Sequence, residues 1–205
     1  MTTSRRRFLQ TLASGTALLA ASVPAAMLTP RQSAGPFYPN LPLLDDDNDL
    51  TRVPGSDRVA QGQHCDLSGR LLDRNGNPLK DTRIEIWQCD ANGRYRHSRD
   101  PRKAPMDPAF QGFGYASSNA EGRYRFRTIR PVPYPGRTPH IHVAVYPPGE
   151  QRFVTQLYVA GEPRNTDDFL YRRIPTEQRH LVTAAFEDAG NGMLHADWDL
   201  IIGTG

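Results

Sequence analysis

Cysteine is scarce in this sequence: 205 residues contain only Cys65 and Cys89, so at most one disulfide can form. Both lie in segments that read as strands. Pairing needs a specific Cα separation that sequence does not supply, and two inert buried thiols fit equally well. Long apolar runs are also missing. The longest, Thr11 to Val23, contains Ser, Thr and Gly and falls short of the roughly 20 apolar residues that span a bilayer. There is no internal repeat and no long low-complexity tract, which leaves one globular domain with short attachments. A strong charge of one sign is absent too. The formal net charge of +3 includes Arg5, Arg6 and Arg7, and without them 22 basic residues face 22 acidic ones. Such a balance gives no basis for binding nucleic acid or an anionic membrane.

What is present begins with Ser4-Arg5-Arg6-Arg7-Phe8-Leu9-Gln10, then the short apolar run, then Pro24-Ala25-Ala26. This order resembles a twin-arginine export signal with small residues at its cleavage site. Residues 1–26 are therefore expected to be removed, leaving a periplasmic or secreted protein without a stable membrane anchor.

Residues 27–60 are rich in Pro, Asp and Asn and show no sustained hydrophobic period, which predicts an extended arm. The run Asp45-Asp46-Asp47-Asn48-Asp49 lacks the glycine and terminal glutamate of an EF-hand loop, so it reads as a solvated turn. From residue 61 to 205, short segments alternate apolar and polar residues between turn residues: Cys65 to Leu72, Arg83 to Cys89, Arg123 to Ile129, His140 to Tyr146, Phe153 to Val159 and Met193 to Ile202. That spacing predicts an all-β domain, an antiparallel β-sandwich of about seven to eight strands. One short helix is expected over Glu177 to Asp188, with Thr176 as its N-cap and Gly190 just past its end.

The chemistry concentrates in Tyr134-Pro135-Gly136-Arg137-Thr138-Pro139-His140-Ile141-His142. Strand residues two apart share a face, so His140 and His142 project together while Ile141, Val143 and Val145 fill the other side. Two imidazoles on one face make a metal grip, although His-x-His alone occurs in many settings. A cupin would add a glutamate shortly after the second histidine, yet Val143 to Pro147 holds no carboxylate. A two-histidine, one-carboxylate Fe(II) site likewise lacks an obvious third ligand nearby. Tyrosines surround the pair instead.

Four segments carry a family resemblance: Gly35-Pro36-Phe37-Tyr38-Pro39; Ile84 to Tyr95, ending Asp90-Ala91-Asn92-Gly93-Arg94-Tyr95; Gly122 to Pro131, leading through Tyr134 and Arg137 to His140 and His142; and Thr155-Gln156-Leu157-Tyr158. In that order and spacing the chain resembles the intradiol ring-cleavage dioxygenases, the family of protocatechuate 3,4-dioxygenase and catechol 1,2-dioxygenase. The resemblance implies one Fe(III) per chain, held by Tyr95, Tyr134, His140 and His142, with Tyr134 and His142 axial. Two hard, anionic phenolates suit Fe(III) better than softer divalent ions. It further implies that Tyr134 acts as a base for a substrate hydroxyl, that Arg137 stabilises charge on the bound ring, and that Gln156 stands behind it. The implied substrates are a catechol-type aromatic and O2, and the product a cis,cis-muconate-type diacid.

The five residues between Tyr134 and His140 form a shorter connection than in the protocatechuate enzymes, which implies a more open pocket. Substrate identity and a homo-oligomeric state stay open. Two other readings share these residues: a secreted transthyretin-like binding module without turnover, and a hydrolase using another metal such as zinc.

Overall fold

The structure is a computed structural model and describes residues 27–45 and 47–203; the expected export segment, residues 1–26, lies outside the described residues. Strands form where branched or aromatic side chains alternate with polar ones. In the first sheet, β1 (His64–Asp73) pairs antiparallel with β4 (Arg123–Ile129), with Leu67 opposite Phe126 and Cys65 opposite Thr128. Tyr124 and Phe126 turn inward, while Arg125 and Arg127 turn outward and clamp Asp66. The other edge of β1 is taken by β9 (Leu194–Asp197) and β10 (Leu200–Ile202), and β8 (Glu187–Asp188) adds to β9.

The second sheet runs β3 (Phe113–Ser117), β2 (Arg83–Trp87), β5 (His140–Tyr146), β6 (Phe153–Val159), β7 (Thr183–Ala184). Its inner face, with Ile84, Ile86, Ile141, Val143, Val145 and Leu157, joins Leu67, Phe126 and Leu200 in one core between the sheets. Its outer face carries Glu85, Trp87, His140, His142, Gln156 and Tyr158, all buried. Tyr171 and Ile174 cover Tyr158, and the arm covers the Trp87 end of this face. Thr29 N–H donates to Ile201 O at 2.9 Å and Gln32 N–H to Val154 O at 2.8 Å, so residues 29–32 lace one sheet to the other. Ala34, Phe37 and Tyr38 then pack on Trp87, Cys89 and Tyr95. The outer face of β5 thereby becomes a second, smaller interior.

Several expectations need correction. The sandwich is mixed, because β9 and β10 run parallel to β1 and β7 parallel to β6. Ten strands occur among the described residues, two of them only two residues long. The expected strand from Met193 to Ile202 breaks at Trp198 and Asp199, where Asp199 Oδ1 takes the Arg70 N–H at 2.7 Å in place of a ladder partner. The Trp198 carbonyl presses on Gly69 so closely that a Cβ there would lie 1.9 Å from its oxygen.

The helix expected over Glu177 to Asp188 is a 3₁₀ turn, Thr176–Val182, that ends at β7. Pro175, not Thr176, occupies the cap position, and no side chain caps it. Burying Val182 and Ala184 and pairing with the β6 edge outweighs continued helix there. Among the described residues the one α-helical turn, α1 (Phe169–Arg172), lies earlier in the chain.

Candidate metal centre

Strand β5 projects His140 and His142 from one face, and their Nε2 atoms face each other at 3.2 Å. His140 Nδ1 lies 2.7 Å from the Thr138 carbonyl, which can only accept; the ring proton therefore sits on Nδ1 and the Nε2 lone pair points inward. His142 is held by stacking: Trp87, its neighbour on β2, lies parallel to it at 4.9 Å and 4°.

Tyr95 follows the turn Asp90–Gly93, where Asp90 Oδ1 gathers the N–H groups of Asn92 and Arg94. Tyr134 stands on the loop between β4 and β5, and its carbonyl accepts the Arg137 N–H at 2.9 Å. The two phenol rings meet edge to face at 5.6 Å, with Tyr134 5.4 Å from His140 and Tyr95 6.0 Å from His142. Residues from one strand and two loops thus converge on one point.

The donor set fits a hard trivalent ion. Tyr95 is buried and its hydroxyl has no hydrogen-bond partner, a costly arrangement unless something else binds the oxygen. Two nitrogens bound at right angles at about 2.1 Å would stand roughly 3 Å apart, close to the observed separation. Among the described residues no cluster of three or more His, Cys, Asp or Glu could hold a metal. A centre at this point therefore draws its further donors from the phenols.

Burial decides the protonation states. It pushes the His140 imidazole down to about 3, helped by the Arg137 charge, and holds His142 well below the ordinary range. Both rings are neutral at neutral pH and ready to ligate. Burial raises both phenols, Tyr95 far above its usual value; for Tyr134 the nearby Arg137 cation opposes the rise. A cation bound to those oxygens would have to displace their protons.

Arg137 spans the site. Its Nε donates to Asp168 Oδ2 at 2.7 Å, its Nη2 to Gln156 Oε1 at 2.5 Å, and its Nη1 lies 3.4 Å from Tyr134 Oη. Gln156, opposite His142 on β6, donates its own Nε2 to the Ser33 carbonyl in the arm at 3.1 Å. Sequence reasoning missed Asp168, which caps α1 through Leu170 and Tyr171 and takes the Thr138 N–H at 3.0 Å. Its only local signal was an aspartate before a short apolar stretch. His97 packs edge-on to Phe37 at 5.6 Å, whereas His64 turns to the Ala60 carbonyl.

A cleft of about 500 Å³ opens beside Tyr134 and Arg137, walled by Pro133, Gly136, Arg164 and Asp168. It offers a planar ligand one half-buried phenol and one fixed cation.

Residues 34–204 match the family model described as dioxygenase. The chain is 37% identical over 166 residues to the protocatechuate 3,4-dioxygenase beta chain of Burkholderia cepacia, covering 76% of this chain and 70% of that one. It is 34% identical over 148 residues to hydroxyquinol 1,2-dioxygenase of Corynebacterium glutamicum, covering 63% of this chain but only 46% of the relative. A solved dioxygenase domain from a dioxygenase carbohydrate-binding protein fusion of Streptomyces sp. SirexAA-E is 31% identical with a TM-score of 0.69, covering 87% of this chain and 100% of that one. The intradiol ring-cleavage dioxygenase of Tetranychus urticae shares the fold at 22% identity, with a TM-score of 0.70 over 87% of this chain and 95% of that one.

Proposed function

The chain belongs to the intradiol ring-cleaving dioxygenases, and we propose that it opens a catecholic ring between its two hydroxylated carbons with O2, yielding a cis,cis-muconate-type diacid. Its cofactor in this reading is one Fe(III), held by Tyr95, Tyr134, His140 and His142. The observation that carries the assignment is the unpartnered, buried Tyr95 hydroxyl beside two inward-facing Nε2 atoms. When bound, the ferric ion would supply Lewis acidity that keeps a catechol ionised and lets its ring react with O2.

The remaining work falls to side chains. Tyr134, half-buried at the cleft wall, is the phenol a substrate can reach, and as a phenolate its Oη can take a proton from a substrate hydroxyl. Arg137 cannot swing, because Asp168 and Gln156 hold two of its nitrogens, so its cation presents a preorganised partner to a negative substrate oxygen. Thr138 fixes the His140 tautomer through its carbonyl. The arm keeps water from the rear of the site by packing Phe37 on Tyr95 at 4.9 Å.

The test is a visible spectrum of the iron-loaded protein with and without catechol under air. A tyrosinate-to-iron band that shifts on adding catechol, followed by ring-opened product, is expected. Tyr134→Phe should lose part of the band and most turnover. A colourless protein at full iron occupancy would overturn the ligand set.

We also propose export through residues 1–26, on the strength of the paired arginines and the short apolar run that follows. Replacing Arg5, Arg6 and Arg7 by lysine should keep the protein in the cytoplasm; unchanged export would refute this.

A further inference from the structure

One half-buried cation beside the centre, Arg102, takes no part in the proposed reaction. Arg102 leaves the Tyr95–Gly112 connection with 15% of its side chain exposed, and its guanidinium carbon lies 4.6 Å from the centroid of Tyr134, 5.4 Å from that of Tyr95 and 5.1 Å from that of Phe37. Among the described residues no other cation stacks on either tyrosine. These distances are within the range in which a cation and an aromatic face attract, and the contact strengthens when water is excluded.

The arginine is held from its edge. Its Nε donates to Asp100 Oδ1 at 2.6 Å, and its Nη2 bonds the other carboxylate oxygen. Edge-on fork binding leaves the guanidinium faces to the rings. Asp100 has no exposed side-chain surface, and its Oδ2 also accepts the Tyr95 backbone N–H at 2.7 Å. Tyr95, Asp100 and Arg102 therefore form a closed loop in which the backbone carrying the phenol also orients the cation against it.

We propose that Arg102 is a positioning residue that sets the donor strength of Tyr95 and Tyr134, drawing electron density from both rings while fixing their mutual angle. The inference rests on the reading of these two tyrosines as iron ligands. A cation against a phenolate ring lowers its filled orbitals, so moving an electron from phenolate to ferric iron needs more energy. With Arg102 in place the visible band lies at shorter wavelength than the same phenolates would give alone.

The experiment compares the visible band of the full-length, iron-loaded protein with that of Arg102→Met and Arg102→Lys at matched iron content. Methionine and lysine are both unbranched and flexible, but only lysine is charged. Arg102→Met should move the band to longer wavelength by on the order of 10 nm, the size a desolvated cation–π contact has at visible energies. Arg102→Lys should recover most of that shift. Asp100→Asn, which removes the counter-charge and keeps the shape, should move the band the opposite way and stays informative if Arg102→Met fails to fold.

Equal shifts in the methionine and lysine variants would reduce Arg102 to packing and overturn the proposal, as would an unmoved band in Arg102→Met or a shift to longer wavelength in Asp100→Asn. A wild-type protein with no band would instead remove the ligand assignment on which the inference stands.

Discussion

Asp168 and Arg137 form a buried ion pair, Nε to Oδ2 at 2.7 Å, in which the arginine keeps 8% of its side chain exposed and the aspartate none. The same oxygen takes the N–H of Thr138, whose carbonyl orients His140. One carboxylate thus braces the cation that lines the cleft and, through one residue, a ring of the proposed iron site.

That arrangement predicts an unequal pair of variants. Asp168→Ala leaves a buried guanidinium without its counter-charge, which costs about 3–5 kcal/mol, and removes the cap of α1, worth about 1 kcal/mol. Asp168→Asn keeps an oxygen for the cap and should lose less stability. Both should lower kcat/KM at least about 100-fold through loss of orientation. Urea unfolding and steady-state kinetics at equal iron content separate the two effects; an Asp168→Ala enzyme with normal kcat/KM would contradict the bracing role.

A second prediction concerns pH in the chelated, metal-free protein. Burial holds His140 at about 3 and His142 well below its ordinary value. In the unfolded chain both take up protons as pH falls through about 6.5. Folded values below unfolded ones mean that stability is full above about pH 6.5 and drains as pH falls toward the folded values, by up to about 2.7 kcal/mol per pH unit for two groups. Burial pushes the Asp168 carboxyl up, but the N–H groups of Tyr171 and Thr138 and the Arg137 cation together outweigh it and hold it low, so it adds a loss below about pH 4. Unfolding free energies measured between about pH 7 and pH 5 should show this slope, and His140→Gln should remove about half of it.

The thiols give a third prediction. Cys65 and Cys89 are free and buried, and burial pushes each up to about 12. Neither should react with a thiol reagent in the native protein, both should react after unfolding, and reductant should leave Tm unchanged. A reductant-sensitive Tm would show that the two are joined, a pairing the sequence had left open.

Strands β4, β5 and β6 were legible to the residue because each is a short segment rich in β-branched and aromatic residues between turn residues, with period-two alternation plain in β4. β3 was not: Phe113-Gly114-Tyr115-Ala116-Ser117 has little hydrophobic contrast, and Gly114 is set by Leu50 of the arm, which would lie 2.5 Å from a Cβ there. The Glu177 to Asp188 helix failed because the buried edge of β6 competes for the backbone, a tertiary effect that local propensity does not contain. At the site, strand period alone brings His140 and His142 together. Tyr95 and Tyr134 were readable only by resemblance, since the loops that aim them have no period. Arg102 and Asp168 carried almost no signal; each acts through a partner that the fold, not the local sequence, supplies.

Gly35 is where the backbone of the arm comes against His142. Its φ of +67° is one that L-residues adopt at a cost of about 1–2 kcal/mol. A Cβ there would lie 3.2 Å from His142 Cε1 and 3.8 Å from Nε2, the nitrogen that faces His140. Gly35→Ala should therefore combine a backbone penalty with a displaced imidazole, and lower iron affinity about 10- to 100-fold, the usual scale for disturbing a ligand's support. Gly76→Ala is the control: its φ is +83° and nothing lies within 4 Å of its Cβ, so it carries the backbone penalty without touching the centre. If chelator competition gives the two variants equal iron affinity, the arm covers the site without shaping it.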